Sequence, residues 1–229
     1  MASRKVQTNI KDPKRVEVQR SKIVKAAIRI VIEKGFHETS VREIAQAAGL
    51  TQGTLYNYIR SKGDILYLIC NEVVTAYLGA VQKGIDRPPE GVSRTEAAVR
   101  ALVEEMYQQQ DLILLIYRES HRLDRRALKA ILSRMEQSFV VLEGLLTDAS
   151  KDRPLAVKHM RVAVNILSYL PTLPVMRRWD LERHVPHREV VEDLVRFMMR
   201  GFGFDAAAAA KPVRKVRSGR AHSPAAGKA

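Results

Sequence analysis

Residues 39–59 read TSVREIAQAAGLTQGTLYNYI, and the polar and small residues in this stretch predict two short helices joined by a sharp turn. Ser40 and Glu43 have the spacing of a capping box, in which hydroxyl and carboxylate satisfy each other's backbone amides. Gly49 suits a turn that needs a positive φ angle, and Thr51 can cap the next helix. The stretch therefore predicts a helix-turn-helix between about residues 40 and 59.

The apolar residues of the same stretch fall on the inner faces of the two predicted helices. Ala45 is small, which allows the helices to pack closely where they cross, and Leu50 fills the gap at the turn. The residues expected to face inward are Val41, Ile44, Ala45, Ala48, Leu55 and Ile59.

The outer face of the second helix lacks acidic residues, which suits contact with DNA. Glutamine and asparagine side chains pair with adenine, and threonine can contact a phosphate or a thymine methyl group. The alternative is an ordinary helical hairpin with a polar outer face, which the agreement of caps, turn glycine and small crossing residue disfavours. The predicted DNA contacts are Ser40, Thr51, Gln52, Gly53, Thr54, Tyr56, Asn57, Tyr58 and Lys62.

The positive charge of the chain is concentrated at its two ends. The net charge is +14, and residues 1–62 carry 13 Lys or Arg against 5 Asp or Glu, whereas residues 63–204 carry 20 against 19. A basic head on a nearly neutral body predicts one surface that faces a polyanion, either DNA or a membrane surface. The residues expected to add sequence-independent affinity for phosphate are Arg4, Lys5, Lys11, Lys14 and Arg15.

Glycine and proline punctuate a chain that otherwise has helical periodicity, without strand alternation, so we predict an all-α fold. The expected parts are a basic arm (1–19), a DNA-binding domain (20–62), a helical ligand-binding and dimerisation domain (63–204) and a disordered basic tail (205–229). Helices are expected at about 18–34, 41–48, 52–59, 62–85, 94–109, 111–124, 125–149, 154–170 and 187–201.

The stretch from Arg20 to Leu68 resembles the DNA-binding domain of TetR-family transcriptional regulators. The matching motifs are Ala26-Ala27, Gly35-Phe36, Thr39-Ser40-Val41, Ile44-Ala45, Ala48-Gly49-Leu50, Gly53-Thr54-Leu55-Tyr56-Asn57-Tyr58-Ile59, Ser61-Lys62 and Asp64-Ile65-Leu66. Gly63 departs from the pattern, since the family usually carries an acidic residue there.

This resemblance covers about the first third of the chain and implies a ligand-responsive regulator. The family resemblance implies a homodimer on a near-palindromic double-stranded DNA operator, acting as a repressor that a small molecule releases. It also implies that a long fourth helix links the DNA-binding head to the body, and that the last two regular helices pair with those of the partner.

Beyond residue 85 the residues supply only candidate positions for an effector site. The segment 111–117 is apolar almost all round, which predicts a buried helix, and polar residues near it suggest a pocket. A satisfied core network or a dimer seam is the competing interpretation. The candidate pocket residues are Tyr107, Tyr117, His121, Asn165 and Tyr169.

The identity of the effector stays open at this point. Some TetR-family fatty-acid regulators sense acyl-CoA, and the arginines near residue 120 could attract such a ligand or another apolar acid. Glu119 and Asp124 lie among them, so a solvated, salt-bridged face is the preferred interpretation. The arginines in question are Arg118, Arg122, Arg125 and Arg126.

The sequence gives only weak indications of metal binding, cysteine reactivity or catalysis. Asp180, His184 and His187 have metal-ligand spacing in a proline-containing loop, but we predict neither a metal site nor a cofactor. The single cysteine, Cys70, is expected to be buried and inert. No nucleophile–base–acid arrangement or glycine-rich phosphate loop is visible in the sequence, which argues against an enzyme.

The sequence thus predicts a cytoplasmic, sequence-specific DNA-binding regulator rather than a membrane protein. The start of the chain lacks the apolar stretch of a signal peptide, and we expect no run of transmembrane length. Two other classes stay open: a non-specific architectural DNA-binding protein, and an all-helical enzyme.

Overall fold

A computed structural model describes Val6 and residues 8–204, and this part of the chain is helical without strands, as the all-α prediction requires. The basic tail and the basic residues Arg4 and Lys5 lie outside the described residues. The helices are α1 (Pro13–Lys34), α2 (Val41–Ala47), α3 (Gln52–Tyr56), α4 (Lys62–Asp86), α5 (Arg94–Gln108), α6 (Gln110–Glu119), α7 (Arg125–Ala149), α8 (Met160–Tyr169), α9 (Leu173–Met176), α10 (Arg178–His184) and α11 (His187–Phe202), with two short 3₁₀ helices at Ser120–Arg122 and Leu170–Thr172.

The first helix is longer than expected, because it begins at Pro13 rather than near Val18. Proline is favourable in the first turn, where its missing amide has no helical partner. The Asp12 carboxylate accepts from the amides of Lys14 and Arg15 at 3.0 and 3.3 Å. The last seven residues of the predicted basic arm, 13–19, are therefore the first two turns of α1.

Other helix boundaries also differ from prediction. The helix α3 ends at Tyr56 instead of residue 59, and α8 begins at Met160 instead of residue 154. The segment before α8 is not helical, and its Ala156 amide donates to the Phe202 carbonyl. Pro171 does stop α8, but the chain then forms 3₁₀ and short α segments, because a proline fits the first turn of each.

The long helix α4 is the central element of the body and packs against α5 and α7. At Gly84, α4 and α5 approach so closely that an added Cβ would lie 2.7 Å from the Ala97 carbonyl oxygen and from the Ala98 Cα. By length and composition α4 could cross a membrane, contrary to the sequence expectation. Because its apolar side chains are packed inside the protein, we interpret α4 as a core helix.

The larger of two clusters of buried apolar side chains among the described residues runs from the head, formed by α1–α3, into the body. It includes Ile23 and Leu55 in the head, and Val99, Leu146 and Phe202 in the body. Because α4 contributes to both regions, head and body share one continuous core. The division between residues 62 and 63 remains a prediction.

Candidate nucleic-acid interface

The first helix of the predicted helix-turn-helix is capped as expected. The Ser40 hydroxyl accepts from the Glu43 amide at 3.1 Å, and the Glu43 carboxylate accepts from the Ser40 amide at 2.8 Å. The turn that follows has Gly49 at φ +71°, and the Leu50 amide donates to the Ala45 carbonyl at 2.9 Å. Local capping therefore sets both the start of α2 and the sharp bend after it.

Glu43 also joins α2 to α1, because its carboxylate accepts a hydrogen bond from the Lys34 ammonium. Together with the donors of Ser40, this contact lowers the pKa of Glu43 to about 2. The same contact raises the pKa of Lys34. The carboxylate that caps α2 therefore stays ionised well below neutral pH.

The second helix, α3, presents the predicted outer face to solvent. The Thr51 hydroxyl accepts from the Thr54 amide at 3.1 Å, which caps the helix as expected. Gln52 and Gly53 are exposed and Asn57 is half-buried. Tyr56 is an exposed aromatic residue on this face, with 42% of its surface accessible to solvent.

Tyr58 does not lie on this face, and its predicted outward placement was wrong. Because α3 ends at Tyr56, Tyr58 lies in the following turn, which directs its ring into the core, where it is 3% exposed. The Tyr58 carbonyl accepts from the Arg20 guanidinium at 2.9 and 3.0 Å. Sequence reasoning missed Arg20, since nothing in the local pattern relates residues 20 and 58.

Lys62 begins α4 and turns back towards the end of α1. Its ammonium donates to the His37 carbonyl at 3.1 Å and lies 4.6 Å from the centre of the Phe36 ring. Burial lowers the pKa of Lys62, while the nearby Glu119 carboxylate opposes that shift. One of the three ammonium donors is thus used within the protein, and the side chain is half-buried.

The five candidate pocket residues do not form the expected interior pocket. Tyr117 and Tyr169 do meet, with ring centres 6.5 Å apart, but they are 42% and 60% exposed. Asn165, on the outer face of α8, and His121, in the 3₁₀ helix after α6, are also exposed. An open surface groove of about 470 Å³ runs along this side of α8 and is lined by Arg161, Val162, Asn165, Ile166, Tyr169 and Leu170.

Tyr107 has different partners from the other pocket candidates. Its ring lies against the His187 imidazole with 3.7 Å between centres, and its hydroxyl donates to Glu182 at 3.5 Å. His184, which has the sequence spacing of a metal ligand relative to Asp180 and His187, contacts Asp180. Among the described residues no group of three or more ligating side chains is placed to hold a metal ion.

Cys70 is buried, as predicted, in the core of the body. Burial raises the pKa of its thiol to about 11. Since the thiolate is the reactive form, the thiol is poorly reactive at neutral pH.

The head of the molecule matches a known family of regulators. Residues 23–67 match the family model described as bacterial regulatory proteins, tetR family. Residues 23–67 are therefore a TetR-family DNA-binding domain. The matched residues run from α1 through the helix-turn-helix into α4, which is the unit whose caps and turn are described above.

Individual TetR-family relatives resemble different lengths of the chain. A transcriptional regulator, HbdR, from Aromatoleum sp. (strain CIB) is 34% identical over 125 residues, which are 54% of this chain and 55% of the relative. The fatty acid metabolism regulator protein of Bacillus subtilis (strain 168) is 22% identical over 55% of this chain and 65% of its own length. The chain thus matches less than two thirds of either relative.

Solved structures also share the fold of most of the described part of the chain. The transcriptional regulator FadR from Bacillus subtilis, solved in complex with stearoyl-CoA, superposes with a TM-score of 0.65 at 18% identity. The match covers 79% of this chain and 98% of that one. At this identity the comparison shows that head and body share a fold with that protein.

Proposed function

We propose that the chain is a sequence-specific DNA-binding transcriptional regulator that inserts α3 into the major groove. The observation that carries the proposal is the exposed, acid-free face of a capped helix-turn-helix. Gln52 and Asn57 can pair with adenine, and Thr54 and Tyr56 can reach phosphates or a thymine methyl group. The proposed contacts are Ser40, Thr51, Gln52, Gly53, Thr54, Tyr56, Asn57 and Lys62.

Basic residues beside the helix-turn-helix support binding to a polyanion. Lys11, Lys14 and Arg15 are exposed where the chain enters α1. Their charges add affinity that does not depend on base sequence and that falls as salt rises. Lys62 keeps two ammonium donors for a phosphate beside the one that it gives to His37.

We propose that the chain acts as a homodimer on a near-palindromic operator. Support comes from large apolar side chains that the second half of the body leaves in solvent, among them Val162, Trp179 and Phe197, at 50%, 63% and 65% exposed. Burying such side chains against a second copy removes apolar surface from water. Two recognition helices about 34–36 Å apart then fit successive major grooves.

We further propose that the regulator represses transcription in the cytoplasm and that a small molecule releases it from DNA. An acyl-CoA or another apolar acid is the first candidate, because a similarly folded regulator was solved with stearoyl-CoA. An effector acts by preferring a state in which the recognition helices have a different separation. The helix α4, which belongs to both head and body, is the element that would transmit the change.

Binding of the full chain to the fragment upstream of its own coding sequence, compared with a scrambled fragment, tests the regulator proposal. We expect retention of the upstream fragment at moderate salt, with Gln52→Ala weakening that binding about tenfold and leaving the scrambled fragment unaffected. Gln108→Ala is the matched control, since Gln108 is exposed on α5 in the body. Equal binding of both fragments would instead favour a non-specific architectural protein.

The effector proposal has its own test. Stearoyl-CoA and stearic acid are added separately to the preformed protein–DNA complex. Release by either ligand at micromolar concentration supports an apolar acid effector, and release by the CoA ester alone assigns recognition to the CoA part. Retention of the complex with both ligands rejects this effector class.

A further inference from the structure

The N-terminal strap, defined as Val6 and residues 8–10, crosses the end of the recognition helix α3. Val6 is 4% exposed and packs into the core beside α1. Ile10 is half-buried against the same core. The strap is therefore held at both of its described ends, although it precedes the first helix.

The strap supplies hydrogen-bond donors to the carbonyl that follows α3. The Thr8 hydroxyl donates to the Asn57 carbonyl at 2.7 Å, and the Asn9 amide donates to the same oxygen at 3.1 Å. The Ile10 amide in turn donates to the Thr8 hydroxyl at 3.1 Å, which orients that hydroxyl.

Arg20 ties the strap to the next carbonyl along the chain. Its guanidinium donates both to the Tyr58 carbonyl and to the Val6 carbonyl, at 2.9 and 2.5 Å. The last carbonyls of a helix have no partner within the helix, and a helix of five residues is marginal without tertiary support. The strap and Arg20 provide that support at the C-terminal end of α3.

We propose that the N-terminal strap is a positioning element for DNA recognition, which holds α3 in the orientation that reads the operator. This inference rests on the proposed function. It differs from the role of the basic arm, because the strap residues Val6 and Thr8–Ile10 carry no charge, whereas the charges of Lys11 and Lys14 point to solvent. A positioning element affects operator affinity without changing the number of phosphates that are neutralised.

The test compares Thr8→Val, which removes the hydroxyl, with Thr8→Ser, which keeps it. Operator binding is measured at several salt concentrations with the upstream fragment as probe. We expect Thr8→Val to weaken binding about fivefold at every salt concentration with an unchanged salt slope, and Thr8→Ser to bind within about twofold of the wild type. Lys14→Ala is the control, and should flatten the salt slope by about one unit.

Hydrogen exchange of residues 52–59 in the DNA-free protein gives a second readout. Faster exchange in Thr8→Val, together with wild-type exchange in Thr8→Ser, supports the proposal. A second pair of variants tests the backbone donor of the strap. Asn9→Pro removes the Asn9 amide hydrogen, whereas Asn9→Ala keeps it. This pair keeps the proposal testable if Thr8→Val does not fold. Wild-type affinity of both Thr8→Val and Asn9→Pro, or a flattened salt slope in Thr8→Val, overturns the proposal.

The outcomes separate this inference from the proposed function. If the wild type does not prefer the upstream fragment, the regulator proposal fails before any variant is compared. If the wild type prefers that fragment and the strap variants match it, only the strap proposal fails.

Discussion

The ammonium of Lys62, the first residue of α4, lies 4.6 Å from the centre of the Phe36 ring, just beyond the end of α1. The contact links the start of α4 to the segment that follows α1. A cation over an aromatic ring at a partly exposed site contributes about 0.5–1 kcal/mol. Lys62 therefore has a structural role beside its proposed contact with phosphate.

Substitution of Lys62 separates these two roles. Lys62→Met keeps the apolar stem, and we expect it to lower the free energy of unfolding by about 1 kcal/mol and the salt slope of DNA binding by about one unit. Phe36→Leu removes the aromatic ring and leaves the charge of Lys62 in place. We therefore expect it to lower the free energy of unfolding and to leave the salt slope of DNA binding unchanged. Denaturant titration and salt-dependent binding measure both quantities. An unchanged slope in Lys62→Met would restrict Lys62 to its structural role.

Substitution of Tyr58 distinguishes a buried core residue from a direct DNA contact. Because the ring is buried, we expect Tyr58→Ala to lower the free energy of unfolding by about 3 kcal/mol, and DNA binding to fail through loss of the fold. Tyr58→Phe keeps the ring and should bind the upstream fragment like the wild type. Circular dichroism melting beside gel shifts gives the comparison. A folded Tyr58→Phe variant that no longer binds would restore a direct contact through the hydroxyl.

Substitution of Gly84 tests the close packing of α4 against α5. Gly84→Ala places a methyl group 2.7 Å from the backbone of α5, and we expect it to lower the free energy of unfolding by about 1–3 kcal/mol. Gly79→Ala, in the same helix and with open space around the added methyl group, should raise it by about 0.5–1 kcal/mol. Equal effects of the two substitutions in denaturant titration would show that α4 and α5 do not approach this closely.

Glu43 predicts how the stability of the head depends on pH. Its pKa is about 2 in the folded chain, below its ordinary value of about 4.3 in the unfolded chain. The stabilisation is therefore present above about pH 4.3 and is lost as the pH falls towards 2. We expect Glu43→Gln to melt at a lower temperature than the wild type at pH 6, and the difference to disappear near pH 2. Glu143→Gln, an exposed change on α7, should show no such trend.

The helix starts and the bend of the helix-turn-helix were predictable because their determinants are local, whereas the end of α3 was not. The capping partners of α2, α3 and α4 lie within three residues of one another, so Ser40, Thr51 and Ser61 mark each helix start directly in the sequence. Gly49 marks the bend for the same reason, since only the local backbone decides the need for a positive φ angle. The burial of Cys70 also followed from its apolar neighbours.

The amino-acid sequence by itself determined the all-helical class, the position of α3 and the concentration of charge at the head. Tertiary structure alone decided that Tyr58 turns inward, that Lys62 reaches His37, and that the candidate pocket residues of α6 and α8 face solvent. The physical reason is distance along the chain: Thr8 and Asn57 are 49 residues apart, and Tyr107 and Glu182 are 75 apart. Local periodicity carries no information on such pairs, which form only when the helices pack.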